Sequence, residues 1–81
     1  MSKKEVFLRP DQDYITLQSA LQITDIISTG GMAKVYLAEN PVIVNGESEN
    51  RRGRKLYQND VVQVGKDTFV IKKAWSLNQS H

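Results

Sequence analysis

The sequence contains no cysteine and only one histidine, and these shortages exclude several kinds of chemistry. Without cysteine there are no disulfides and no thiolate metal ligands, and nothing indicates an oxidising compartment. The histidine is His81, and the Asp and Glu residues are scattered, so no nucleophile lies beside a base and no metal-ligand spacing occurs. We therefore expect a protein that is not an enzyme and that has no cofactor, no metal and no small-molecule substrate.

Long apolar runs are also absent. No window approaches the roughly 18 apolar residues of a membrane span, and no apolar stretch follows Lys3 and Lys4 as it would in a signal peptide. The 81 residues are 40% hydrophobic and 25% charged, which is typical of one small globular domain. We expect a cytoplasmic monomer that does not bind membranes.

The charge is distributed unevenly along the chain. The net charge is +2, but residues 1–50 carry four Lys/Arg against seven Asp/Glu, whereas residues 51–81 carry seven against two. Four of the eleven cations lie in residues 51–55, here called the basic segment, as Arg51, Arg52, Arg54 and Lys55 around Gly53. Guanidinium groups bind phosphate oxygens in pairs of hydrogen bonds, and glycine lets the backbone approach a phosphate closely. The basic segment is therefore the main candidate for a site that binds a polyanion.

Two short helices are predicted in the first half of the chain. The first begins after Thr16 as its N-cap and ends near Thr24. The second is opened by residues 28–31 and ends at Asn40, predicted in the left-handed conformation, before Pro41, which cannot continue a helix. Apolar residues recur at helical spacing, namely Leu17, Ala20 and Leu21 in the first helix and Ala33, Tyr36 and Leu37 in the second.

The second half of the chain has the pattern of short strands. The β-branched residues 42–44 precede Asn45 and Gly46, a pair typical of a tight hairpin turn. Further strands are predicted at 47–49, 61–64 and 68–72, with the basic segment as a loop or arm. The expected fold class is thus α+β. We divide the chain into an N-terminal extension at residues 1–13, with a possible short strand at 6–8, a folded domain at 14–72 and a loose tail at 73–81.

The order of these features resembles a known family. The α-L RNA-binding motif, or S-four domain, is named for a protein of the small ribosomal subunit. The resemblance runs from about residue 15 to residue 64, and its most specific part is Val44, Asn45 and Gly46 followed some fifteen residues later by Asp60 and Val61. Supporting features are residues 28–31, Ala33 with Lys34, Lys55 with Leu56, and a basic segment like that of small stand-alone bacterial members.

The resemblance implies two helices packed on a small, bent antiparallel sheet, and a surface that grips structured RNA. Two departures shift the expected contacts. Residues 15–18 replace the Arg-Leu-Asp triplet that opens the first helix in many members, and Lys34 is the only cation predicted on the second helix. The predicted RNA-binding residues are Ser28, Thr29, Gly30, Lys34, Arg51, Arg52, Gly53, Arg54 and Lys55. The backbone N–H groups near Gly30 would face the anion at a helix start.

Each of these interpretations has an alternative. The basic segment is also typical of a solvated loop, and residues 28–31 of ordinary N-capping with a tight turn. Tyr36, Phe69 and Trp75 are candidates for stacking on bases, although core packing is the ordinary role of the first two.

The function predicted from the sequence is non-catalytic binding of structured RNA. The expected partner is ribosomal RNA or a ribosomal subunit, in ribosome assembly or in quality control of the large subunit. The alternative is a protein-interaction adaptor whose acidic helical half, including Asp25 and Glu39, docks on a basic partner.

Overall fold

The computed structural model describes residues 2–73 and has an α+β fold. Helix α1 spans Leu17–Ile23 and helix α2 spans Gly31–Glu39. The strands are β1 (Ser2–Leu8), β2 (Tyr14–Thr16), β3 (Val42–Val44), β4 (Glu47–Glu49), β5 (Lys55–Tyr57), β6 (Val61–Val64) and β7 (Asp67–Lys73). The predicted helices and the hairpin strands of the second half are confirmed.

Helix α1 begins and ends as its sequence predicts. The Thr16 hydroxyl oxygen accepts a hydrogen bond of 3.2 Å from the Ser19 N–H, which satisfies one of the free donors of the first turn. At the other end, the Thr24 N–H and hydroxyl both donate to the Ala20 carbonyl. Leu17, Ala20 and Leu21 are fully buried, so the apolar face found in the sequence is the face packed on the core.

Helix α2 departs from its predicted caps at both ends. The helix begins within residues 28–31 as predicted, but its N-cap is Gly30, so no side chain caps it. Instead, the Met32 and Ala33 N–H groups donate to the carbonyls of Thr29 and Gly30, in a tight first turn. The left-handed conformation predicted for Asn40 is wrong, because its φ is −136°. Its N–H and side-chain amide both donate to the Tyr36 carbonyl, which satisfies that acceptor without a left-handed turn.

The strands form two sheets, not the single antiparallel sheet that the resemblance implied. The main sheet has the order β1-β7-β6-β3-β4, and β2 pairs with β5 in a separate two-stranded sheet. β1 runs parallel to β7, from Ser2 beside Asp67 to Leu8 beside Lys73, while the other pairs are antiparallel. A parallel pair requires a long connection, and here both helices and the intervening strands provide it. The main sheet is therefore mixed.

The N-terminal segment is part of this main sheet. β1 extends the predicted short strand at 6–8 back to Ser2, and Val6 and Leu8 are buried. At the other end, β7 includes Lys73, the first residue of the predicted tail. The division of the chain into extension, domain and tail otherwise stays a prediction, and residues 74–81, with Trp75 and His81, lie outside the described residues.

One hydrophobic core joins both helices and both sheets. It includes Leu17 of α1, Leu37 of α2, Leu56 of β5, Val62 of β6 and Phe69 of β7, all at most 1% exposed. Phe69 is thus a core residue, and Tyr36 packs partly buried against the same cluster, consistent with the ordinary roles of both. Because Leu56 belongs to the same core, the short β2–β5 sheet is fixed to the rest of the molecule.

The position of β1 leads to a stability prediction. Replacing Leu8, which is fully buried, with Ala is expected to cost about 2–5 kcal/mol in the free energy of unfolding, because it leaves a cavity. The neighbouring Phe7 is 53% exposed, so Phe7→Ala is expected to cost less than about 1 kcal/mol although it removes more atoms. Urea unfolding of both variants measures the difference. Equal costs would show that β1 is not packed on the core.

Candidate nucleic-acid interface

The basic segment is attached to the first turn of α1 through its backbone. The Leu17 N–H donates to the Arg54 carbonyl at 2.8 Å, and the Gln18 N–H donates to the Arg52 carbonyl at 2.9 Å. These donors belong to the first turn of α1, where a helix leaves its N–H groups without partners inside the helix. The loop carbonyls therefore point toward the helix.

A carboxylate orients two of the four cations. Glu49, the last residue of β4, has a side chain only 6% exposed. Its Oε2 accepts from the Arg51 Nε at 2.9 Å and from the Arg51 backbone N–H at 3.0 Å, while its Oε1 accepts from the Arg54 Nη1 at 2.8 Å. Hydrogen bonds from the Arg51 guanidinium, helped by Arg54 and opposed by burial, lower the pKa of Glu49 from 4.5 to about 2. The carboxylate is thus ionised at neutral pH and holds both arginines in place.

The remaining cations of the segment have no such partner. Within residues 2–73, the Arg52 side chain makes no hydrogen bond or ion pair, and Lys55 faces an aromatic ring instead of a carboxylate. Residues 49–55 thus carry four cations and one carboxylate, which contacts two of them, so this segment keeps an excess of positive charge. An open depression of about 520 Å³ is lined by Arg51, Gly53, Arg54, Lys55 and Tyr57. This arrangement suits the oxygens of a phosphate backbone.

The start of α2 lies beside the start of α1. A Cβ built on Gly30 would stand 2.4 Å from the Nε2 of Gln18, the residue whose N–H donates to the basic segment. Gly30 and the basic segment are thus both in contact with Gln18. Ser28 and Thr29 are exposed, and within the described residues their hydroxyls make no hydrogen bond. Lys34 is exposed on α2, and among residues 2–73 it has no ion-pair partner. Whether any of these residues contacts RNA stays a prediction.

The motif that supported the family resemblance has a structural role. The Asn45 side chain donates to Asp60 Oδ1 at 3.0 Å and accepts from the Val61 N–H at 2.9 Å, which links the β3–β4 turn to the start of β6. Asp60 Oδ2 accepts from the Tyr57 N–H at 2.7 Å, as expected for a carboxylate that closes a turn. Asn45 has a φ of 51° and Gly46 a φ of 88°, so the predicted tight turn is confirmed. Asn45 and Asp60 lie 15 residues apart in the sequence because they belong to two different turns, and these turns hydrogen-bond to each other.

Sequence reasoning missed three residues of this surface. Glu49 lies two residues before Arg51, and this short spacing between opposite charges was an available signal. Tyr14 and Tyr57 lie opposite each other across the β2–β5 pair and are 40% and 48% exposed. The alternation of polar and apolar residues that exposes them is only three residues long in each strand, which is too short to predict a strand pair.

Comparison with known proteins places the fold in a family. A family model described as the S4 domain matches residues 8–72, most of the chain. The chain belongs to the S4 domain family. It is also 54% identical, over 54 residues, to a Bacillus subtilis (strain 168) protein named "Probable ribosome maturation protein RlbA"; the match covers 67% of this chain and 76% of that protein. The family resemblance found in the sequence is confirmed, while the detailed α-L arrangement of this S4 domain stays a prediction.

Neither a helix able to span a membrane nor a cluster of metal ligands occurs within residues 2–73. No helix there has the length and apolar character needed to cross a membrane. Nor do three or more His, Cys, Asp or Glu side chains come together in a group that would hold a metal ion.

The Glu49 contacts predict a pH-dependent stability. Because the folded-state pKa of Glu49 lies below 4.5, the unfolded chain binds more protons between about pH 4.5 and 2, and the stabilisation is lost as the pH falls through that range. Glu49→Gln is therefore expected to cost about 1 kcal/mol at pH 7, a modest value because Arg51 is largely exposed. The difference from the wild type should shrink toward pH 2.

Urea unfolding at a series of pH values measures this difference, with Glu47→Gln as the matched control. Glu47 lies on the same strand but is exposed and makes no ion pair among the described residues, so its replacement should change little at any pH. A Glu49→Gln cost that does not vary with pH would contradict the proposed charge on Glu49.

Proposed function

We propose that this S4 domain binds structured RNA without catalysing a reaction, and that its partner is ribosomal RNA during ribosome assembly or in quality control of the large subunit. The observation that carries the proposal is the basic segment, which is attached by its backbone to α1. Three of its four cationic side chains, those of Arg51, Arg54 and Lys55, border an open depression. Phosphate contacts supply much of the affinity of nucleic-acid binding proteins, because each contact releases condensed counterions.

The form of the surface favours folded RNA over duplex DNA. α1 supplies the anchoring N–H groups for the basic segment, so its first turn is not free to enter a major groove. A shallow surface with several cations instead matches the backbone and shape of folded RNA. Gly30, beside Gln18, extends this surface to the start of α2, and Ser28, Thr29 and Lys34 are the proposed contacts there.

The ribosomal part of the proposal is supported by the Bacillus subtilis relative, whose name describes ribosome maturation. The non-catalytic part is supported by the roles of the nearby carboxylates. Glu49 holds two arginines and Asp60 closes a turn, so both are engaged in fixing the surface. A protein with this role would act as a monomer in the cytoplasm, where ribosomes are assembled.

The proposal predicts a strong salt dependence. The logarithm of the association constant for transcribed ribosomal RNA should fall linearly with the logarithm of salt concentration. Replacing Arg51, Arg52, Arg54 and Lys55 together with Ala should reduce the slope of this plot by about three units. Fluorescence anisotropy of labelled RNA at several salt concentrations measures the slope. An unchanged slope would remove the basic segment from the interface.

A single substitution gives a cleaner version of this test. Arg52 makes no side-chain ion pair within residues 2–73, so Arg52→Ala should weaken RNA binding several-fold at low salt while leaving the free energy of unfolding within about 0.5 kcal/mol. Lys66, exposed in the β6–β7 turn outside the basic segment, provides the matched control, and Lys66→Ala should bind nearly as the wild type does. Equal losses would indicate a diffuse charge effect. If ribosome binding instead depended on Asp25 or Glu39, the adaptor function would replace this proposal.

A further inference from the structure

Two tyrosine rings stand exposed together at the edge of the basic segment. The pairing of β2 with β5 puts Tyr14 directly opposite Tyr57, and Ile15 opposite Leu56. Because side chains alternate along a strand, the two tyrosines share one face while Ile15 and Leu56 share the other, buried face. The ring centroids of Tyr14 and Tyr57 are 5.7 Å apart and the planes are tilted by 51°. A cross-strand aromatic pair stabilises a short strand pair, but in this one Tyr14 stays 40% exposed and Tyr57 stays 48% exposed.

The surroundings of this pair combine cations with open space. Lys55 Nζ lies 5.0 Å from the centroid of the Tyr14 ring, close enough for a cation–π contact. Tyr57 borders the depression that the basic segment lines, and Tyr14 borders a second depression of about 470 Å³ together with residues such as Thr16 and Ser19. Each ring therefore borders an open depression, and the cation of Lys55 lies over the Tyr14 ring.

We propose that Tyr14 and Tyr57 form a stacking platform for an unpaired base of the bound RNA, while the phosphates beside that base contact the basic segment. This inference rests on the proposed RNA binding and specifies the class of RNA, one that presents an unstacked nucleotide, such as a bulge or a loop, and not a continuous duplex. Aromatic rings next to cations bind single-stranded nucleotides in this way, since every base has a flat face that stacks and a phosphate that needs a counter-charge.

Lys55 connects the two parts of the platform. Thr16 is its partner across the strand pair, which puts Lys55 diagonal to Tyr14 and on the same strand face as Tyr57. When a base covers the exposed ring face, the Lys55 ammonium stays within reach of the phosphate attached to that base. The rigid strand pair, held by the buried Leu56, keeps the rings in position before the RNA arrives.

The test uses two RNA hairpins with the same stem, one continuous and one carrying a single bulged 2-aminopurine. The wild-type protein is expected to bind the bulged hairpin about 10-fold more tightly, within the roughly 5- to 150-fold range of single-base stacking, and to quench the 2-aminopurine fluorescence. Replacing Tyr14 and Tyr57 with Leu should remove the preference and the quenching while leaving the affinity for the continuous hairpin and the salt slope unchanged. Tyr57→Phe, which keeps the ring, should behave as the wild type does.

The possible failures are distinguishable. If the wild type binds both hairpins equally with a salt slope that depends on the basic segment, or binds the bulged hairpin without quenching, the platform is wrong and the RNA-binding function stands. If neither hairpin is bound, both proposals fail. The platform is also contradicted if the Tyr14 and Tyr57 double variant loses affinity for both hairpins to the same extent. The quenching measurement uses the wild-type protein, so it can refute the platform even if the double variant does not fold.

Discussion

The candidate surface depends on two backbone hydrogen bonds between the first turn of α1 and the basic segment. The N–H groups of Leu17 and Gln18 need acceptors, and the carbonyls of Arg54 and Arg52 supply them. A helix end and a loop thus satisfy each other, and the loop is ordered without using its cationic side chains. Order established before binding reduces the conformational entropy lost on binding. This is why a short cationic loop, which would be flexible by itself, is a candidate interface.

Side-chain carboxylates and turns hold the residues of this candidate interface in position. Glu49 reduces the positive charge by one unit, yet it holds Arg51 and Arg54 in a defined geometry, and one negative charge does not cancel four cations. Asn45 and Asp60 fix the turn that precedes β6 and the backbone of Tyr57. The residues by which the family is recognised are therefore scaffold residues, and the proposed contacts lie on loops and strand ends that this scaffold positions.

Features encoded by local sequence were predictable, and features that depend on distant contacts were not. Thr16 as an N-cap and Asn45 with Gly46 as a tight turn follow from side-chain chemistry within a few residues. By contrast, the parallel pairing of β1 with β7 and the separate β2–β5 sheet join segments far apart in the chain, and no short pattern specifies them. For the site, the composition located the basic segment, but its contact with Gln18 and the exposed pair Tyr14 and Tyr57 required the tertiary structure.

The pairing of the first strand with the last also affects how the chain folds as it is synthesised. β1 leaves the ribosome first, but its partner β7 follows only after both helices and the other strands. Until then Val6 and Leu8 have no sheet to cover them, and Lys3 and Lys4 oppose pairing with other chains. Pairing of strands far apart in the chain is slow, and here it cannot begin before β7 has been synthesised. The main sheet is therefore complete only once β7 is available, whatever local structure forms before it.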